Sequence, residues 1–193
     1  MTACRQHRSR SFASRLAVKT AIIGLSLSAW LIFGVTGSEA KGKIGKLPKE
    51  SLARHQVTSL DGRRFSLAEL RGQVVVLDFF AVWCGHSRDH MPALTRFNED
   101  DRERGLQIIG LAVQDQQTTA ERLAQFIKDQ KIGYPVGLVS DRIFADYVQS
   151  RDVSVPQTLV FGRDGRLMAH FVGQSAETDA ALTAAIKGEL EKK

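Results

Sequence analysis

Cysteine is scarce in these 193 residues: only Cys4 and Cys84 occur, so at most one intrachain disulfide could form. Long apolar runs are missing too. The longest, residues 21–35, is about fifteen residues and falls short of the roughly 20 that a membrane-crossing helix requires. No paired arginines stand before that run and no cysteine closely follows it, which argues against a twin-arginine signal and a lipoprotein anchor. Internal repeats and low-complexity segments are also absent, which leaves one folded domain with appendages as the reading of this length.

What precedes the apolar run is basic: Arg5, Arg8, Arg10, Arg15 and Lys19. After it, Ser38-Glu39-Ala40 offers small residues at the two positions a signal peptidase reads, so residues 1–40 are expected to be a signal peptide and Lys41 the start of the mature chain. Membrane attachment would then arise only through an uncleaved signal anchor. Removing this segment changes two other arguments. The net charge falls from +6 to +2, and no basic stripe remains to suggest nucleic-acid binding. Cys4 leaves with the signal, so Cys84 becomes the only thiol and no internal disulfide is available. In an oxidising compartment such a thiol is either buried and inert or meets the disulfides of other proteins.

Residues 41–54 are Lys/Gly-rich and aperiodic and read as a linker, with the domain expected over 55–193. Gln56–Ser59 and Arg63–Phe65, separated by Asp61-Gly62, read as a hairpin, and Ser66-Leu67-Ala68-Glu69 has capping-box spacing. Val74–Ala81 is apolar except for Asp78 and has the length of a strand buried on both faces. Met91, Leu94 and Phe97 then recur at helical spacing from Cys84 to about Glu103, with Pro92 inside and Gly105 suited to the C-terminal cap. Leu106–Val113 reads as a second buried strand, and Thr118-Thr119-Ala120-Glu121 caps a helix to about Gln130. Strands are expected at Tyr134–Leu138, Thr158–Phe161 and Met168–Val172, and helices at Asp141–Gln149 and Glu177–Leu190. The fold class is α/β: one mixed sheet flanked by helices, with an N-terminal hairpin.

The segment with the most chemistry is Phe79-Phe80-Ala81-Val82-Trp83-Cys84-Gly85-His86-Ser87. A cysteine where a strand gives way to a helix sits at the positive end of the helix dipole, near backbone N–H groups that lack partners; both favour thiolate, the reactive form. His86 can add a positive charge or a donor. Asp78, a carboxylate in an apolar strand, is expected to titrate above its usual range.

Asp78-Phe79-Phe80-Ala81-x-Trp83-Cys84-Gly85-His86, followed by Pro92 and by Val155-Pro156-Gln157-Thr158 ahead of a strand, resembles the thioredoxin fold. The hairpin, Tyr134-Pro135-Val136 and Phe161-Gly162-Arg163-Asp164-Gly165 resemble its secreted TlpA/ResA-like (redoxin) branch in particular, over roughly residues 55 to 190. The resemblance implies that Cys84 is the nucleophile, Asp78 the acid that assists proton transfer, Pro156 a cis-proline opposite the cysteine, and Val155 the residue presented to an extended substrate. Trp83 becomes a wall of the site, and Gly85-His86 is the dipeptide found in protein disulfide isomerases. Ser87 departs from the pattern, because the dithiol relatives carry their resolving cysteine there. A serine can hydrogen-bond the Cys84 thiolate but cannot attack a disulfide.

The expected activity is therefore extracytoplasmic thiol-disulfide exchange through one cysteine, with no cofactor. Its partners would be disulfide-bonded or thiol-containing proteins, and release would come from the substrate's own second thiol, glutathione or another protein. Three other readings are weighed beside it. A redox-silent binding module would use the Val155-Pro156 groove. A copper(I) site could draw on Cys84, His86, His90 and Met91, the two histidines lying four residues apart on one helix. Peroxide reduction fits poorly, since peroxiredoxins place Pro and Thr upstream of their cysteine where Ala81 and Val82 stand.

Overall fold

A computed structural model describes residues 44–192 of the chain; the expected signal segment lies outside the described residues. At the centre stands β3 (Val74–Phe80), all seven residues of which are buried because both faces of the sheet are covered. It pairs in parallel with β4 (Leu106–Val113), which pairs in parallel with β5 (Val136–Val139). On its other side β3 runs antiparallel to β6 (Gln157–Phe161), and β6 to β7 (Leu167–Val172), giving the order β5-β4-β3-β6-β7. A separate hairpin, β1 (Val57–Thr58) and β2 (Arg64–Phe65), turns through Gly62 at φ 85°. The hairpin leans on β5 so closely that a Cβ on Gly137 would meet the Thr58 carbonyl oxygen at 2.7 Å.

The alternation along β3 sorts the helices into two layers. Val75, Leu77 and Phe79 join the core formed with Leu52 of α1 (Glu50–Ala53) and with Phe144, Tyr147 and Val148 of α4 (Asp141–Val148). Val74, Val76 and Phe80 face the opposite core. There they meet Met91 and Leu94 of α2 (Gly85–Asp101), Leu123 and Phe126 of α3 (Ala120–Asp129), and Leu182 and Ile186 of α5 (Ala176–Leu190). Asp78 belongs to this second face by the same alternation.

The strands and long helices lie within a few residues of their expected places, and α2 accommodates Pro92. Gly105 at φ 90° caps the short 3-10 turn that ends it. The expected linker does not match what is seen. The segment is packed from Gly45 onward: Gly45 N donates to Leu167 O at 2.7 Å, Leu167 N donates to Lys46 O at 3.0 Å, and the Tyr147 hydroxyl donates to Leu52 O at 3.1 Å. Leu52 and Ala53 are buried. A helix of four residues is too short to show periodicity, so composition alone suggested a flexible arm.

Candidate active site

Cys84 is the N-cap of α2, placed there because the chain leaves the C-terminal end of β3 at Phe80 and turns through Ala81, whose carbonyl accepts from Cys84 N at 3.1 Å. The thiol is 2% exposed. Its Sγ lies 3.4 Å from the carbonyl oxygen of Val155 and donates to it. The peptide bond that follows, Val155–Pro156, is cis. Gln157 holds this loop from beneath. Its amide Nε2 donates to Asp152 O at 2.9 Å and Ser154 O at 2.8 Å, and its Oε1 is 2.8 Å from His170 Nε2.

Trp83 precedes Cys84 in the chain, and its indole N–H donates to Asp115 Oδ2 at 2.6 Å. Burial works against ionisation of Asp115, but the bonds it receives from Trp83, Thr118 and Gln117 hold its carboxyl below the usual range. This anchor was not anticipated, since nothing local in the sequence links positions 83 and 115.

On the face of β3 that packs on α2, Asp78 is fully buried and accepts from Thr158 Oγ1 at 3.0 Å, its register partner on β6. His90 Nε2 stands 3.8 Å from the same carboxyl oxygen, while Asp78 Oδ2 has no partner among the described residues. Burial pushes the Asp78 carboxyl up; the charge of His90 and the Thr158 bond oppose this but do not reverse it.

The remaining expected residues do not converge. His86 is exposed on the first turn of α2. Ser87 is buried, yet its hydroxyl has no partner among the described residues, so it does not hydrogen-bond the thiol as expected. The copper(I) set is not assembled either. Met91 Sδ is turned inward and accepts from the Tyr134 hydroxyl at 2.9 Å, and His90 is engaged by Thr158 Oγ1 and by Asp179 Oδ1, each at 3.2 Å. The contact of Asp179 with His90 was not anticipated from the sequence. The signal was present: stepping back from Leu190 through Ile186 and Leu182, the core-facing residues of α5, lands on Asp179.

Asp78→Asn tests the acid. In the unfolded chain Asp78 ionises near 3.8, and in the folded chain only at higher pH. Below the lower value both states are protonated and no penalty exists; between the two, folding holds a proton the unfolded chain has lost, so stability falls as pH rises. Asparagine removes that penalty. The variant is expected to be more stable than wild type by roughly 1–3 kcal/mol above the folded-state value, with the difference vanishing toward pH 3. Urea denaturation across pH measures it; an advantage that grows on acidification would contradict the assignment.

The fold has relatives among known proteins. The profile of the AhpC/TSA family matches residues 48–170, more than half of the chain. The thiol-disulfide oxidoreductase ResA of Bacillus cereus is 25% identical over 160 residues, which span 82% of this chain and 83% of that protein. ResA of Bacillus subtilis is 24% identical over 165 residues, spanning 85% and 88%. Among solved structures, a thiol:disulfide interchange protein of the thioredoxin family from Chlorobium tepidum superposes with a TM-score of 0.60 at 27% identity, over 70% of this chain and 92% of its own.

Proposed function

The chain belongs to the AhpC/TSA family, and from that premise we propose that it is an extracytoplasmic thiol-disulfide oxidoreductase acting through the single nucleophile Cys84. The observation that carries this reading is the placement of the Cys84 sulfur at the N-cap of α2, against the Val155 carbonyl of the cis-proline loop. The helix end stabilises negative charge on sulfur. Asp78, buried on the face of β3 that packs on α2, accepts the thiol proton. The thiolate attacks one sulfur of a substrate disulfide, forming a mixed disulfide with Cys84 and releasing the other sulfur as thiolate.

Resolution comes from outside, since Ser87 replaces a second thiol. A thiolate of the same substrate attacking its own half of the mixed disulfide makes a new pairing and frees Cys84, which is isomerisation. A glutathione thiolate attacking the same sulfur frees Cys84 and leaves the substrate glutathionylated; a second glutathione completes a two-electron reduction. The basic and apolar pattern of residues 1–40 supports export. Among the described residues no helix is long and apolar enough to cross a membrane.

Incubating the reduced chain with an oxidised test protein and quenching with acid is expected to yield a mixed disulfide at Cys84, seen by mass and dissolved by glutathione. No adduct would end this reading. That outcome would favour a module that binds extended chains without exchange, a second reading that rests on the burial of Cys84.

A further inference from the structure

Beyond Asp78 the buried polar atoms continue in a line across four elements. Thr158 Oγ1 on β6 is 3.0 Å from Asp78 Oδ1 on β3, His90 Nε2 on α2 is 3.2 Å from that hydroxyl, and Asp179 Oδ1 on α5 is 3.2 Å from His90 Nδ1. Asp78, Thr158 and His90 are almost wholly enclosed, whereas the side chain of Asp179 is 33% exposed. Gln174 Nε2 donates to Asp179 Oδ2 at 2.9 Å and holds the carboxylate in place. Tyr134 also stands close enough to feel the Asp78 charge; burial first, and that charge second, push its hydroxyl well above its usual range. The exchange chemistry uses neither His90 nor Asp179.

A threonine hydroxyl has one proton, and with Asp179 as a carboxylate this limits the line to two complete patterns. In one, an imidazolium donates from Nδ1 to Asp179 and from Nε2 to Thr158, whose own proton goes to the Asp78 carboxylate. In the other, protonated Asp78 donates to Thr158, Thr158 donates to a neutral Nε2, and Nδ1–H still donates to Asp179. The two hold the same number of protons and interconvert by a relay in which the Nε2 proton passes to Thr158 Oγ1 as the threonine proton passes to Asp78 Oδ1. No heavy-atom bond changes and no electron moves.

We propose that Asp78 and His90 share one proton through the Thr158 hydroxyl, and that Asp179 is a positioning residue which biases that proton toward His90, keeping Asp78 ready to accept the proton of Cys84. This rests on the reading of Asp78 as proton acceptor given above. The sign of one substitution separates the shared proton from plain electrostatics. Removing the negative charge of Asp179 would, through space alone, make Asp78 ionise at lower pH. Through the shared proton it does the opposite, because an imidazole without its counter-charge returns the proton to Asp78.

The test is a carbon-13 carboxyl titration of Asp78 in the full chain, in wild type, Asp179→Asn, His90→Gln and the double variant. The Asp78 midpoint is expected to rise by about one pH unit in Asp179→Asn. It should also rise in His90→Gln, with Asp179→Asn adding no further rise on that background. A midpoint that falls or stays in Asp179→Asn overturns the proposal, as does an equal rise with and without His90. The titration needs no thiol chemistry, so a shared proton found in a chain that traps no disulfide would count against the proposed function alone.

Discussion

Ser87→Cys is expected to add a resolving thiol to the exchange proposed for Cys84, raising the rate of insulin reduction on the order of a hundredfold at millimolar glutathione. On the proposed mechanism the mixed disulfide is resolved by the substrate's own thiol or by glutathione, whereas a cysteine at position 87 attacks from within the same turn. Positions 84 and 87 sit three apart across the start of α2, at the N-cap and in the first turn, so their side chains are neighbours on one face. The pocket already suits sulfur. The Ser87 hydroxyl is buried without a partner among the described residues, a cost of roughly 1–3 kcal/mol that a thiol, at ease in apolar surroundings, largely avoids. The reduced variant should therefore be at least as stable as wild type. Insulin turbidity with and without glutathione reads the gain, and Cys84→Ser in the same background should remove it. A Ser87→Cys protein that still requires glutathione would mean that the side chain at position 87 cannot reach Cys84.

Phe79→Ala is expected to lower stability by about 3–5 kcal/mol and the melting temperature by roughly 10 °C or more, while leaving exchange by the folded protein almost unchanged. Phe79 has no exposed surface, and its ring centroid lies 5.1 Å from that of Phe144 and 5.6 Å from that of Tyr147. Truncation opens a cavity between β3 and α4 and loosens Tyr147, whose hydroxyl holds the Leu52 carbonyl and thereby α1. Although Phe79 is the sequence neighbour of Asp78, its side chain points into the other layer. Thermal and urea unfolding give the stability, and mixed-disulfide formation well below the transition gives the chemistry. A loss under about 1.5 kcal/mol would show that the site collapses around the missing ring.

Periodicity reports faces, and that explains which parts of the structure were legible. The apolar run from Val74 announced a doubly buried strand, and Gly105 announced the end of the following helix, because each is a local signal with one structural solution. The pairing of Cys84 with the cis-proline loop was legible only through family resemblance, since 71 residues separate the two partners. Residues 45–54 misled, because a single turn of helix has no period and its packing depends on Tyr147 and Leu167, far along the chain. His90 misled differently. Its spacing from His86 suggested a shared helical face, yet the residue beside Met91 faces the core and only the one in the first turn faces solvent. Asp179 shows the converse: an acid in register with leucine and isoleucine was a readable sign of a buried partner, and His90 is that partner.

The enclosure of Cys84 has a kinetic side. A sulfur with almost no open surface, bonded to a backbone carbonyl, cannot line up with an incoming disulfide until the loop or the helix start gives way. On the exchange proposed for Cys84, each turnover would begin with an opening, and only the open fraction of molecules would react. The same enclosure would act as a shield between encounters. A thiol this enclosed is expected to meet peroxide and other small oxidants more slowly, which matters because Cys84 is the only cysteine among the described residues and no neighbour there could rescue a sulfenic acid.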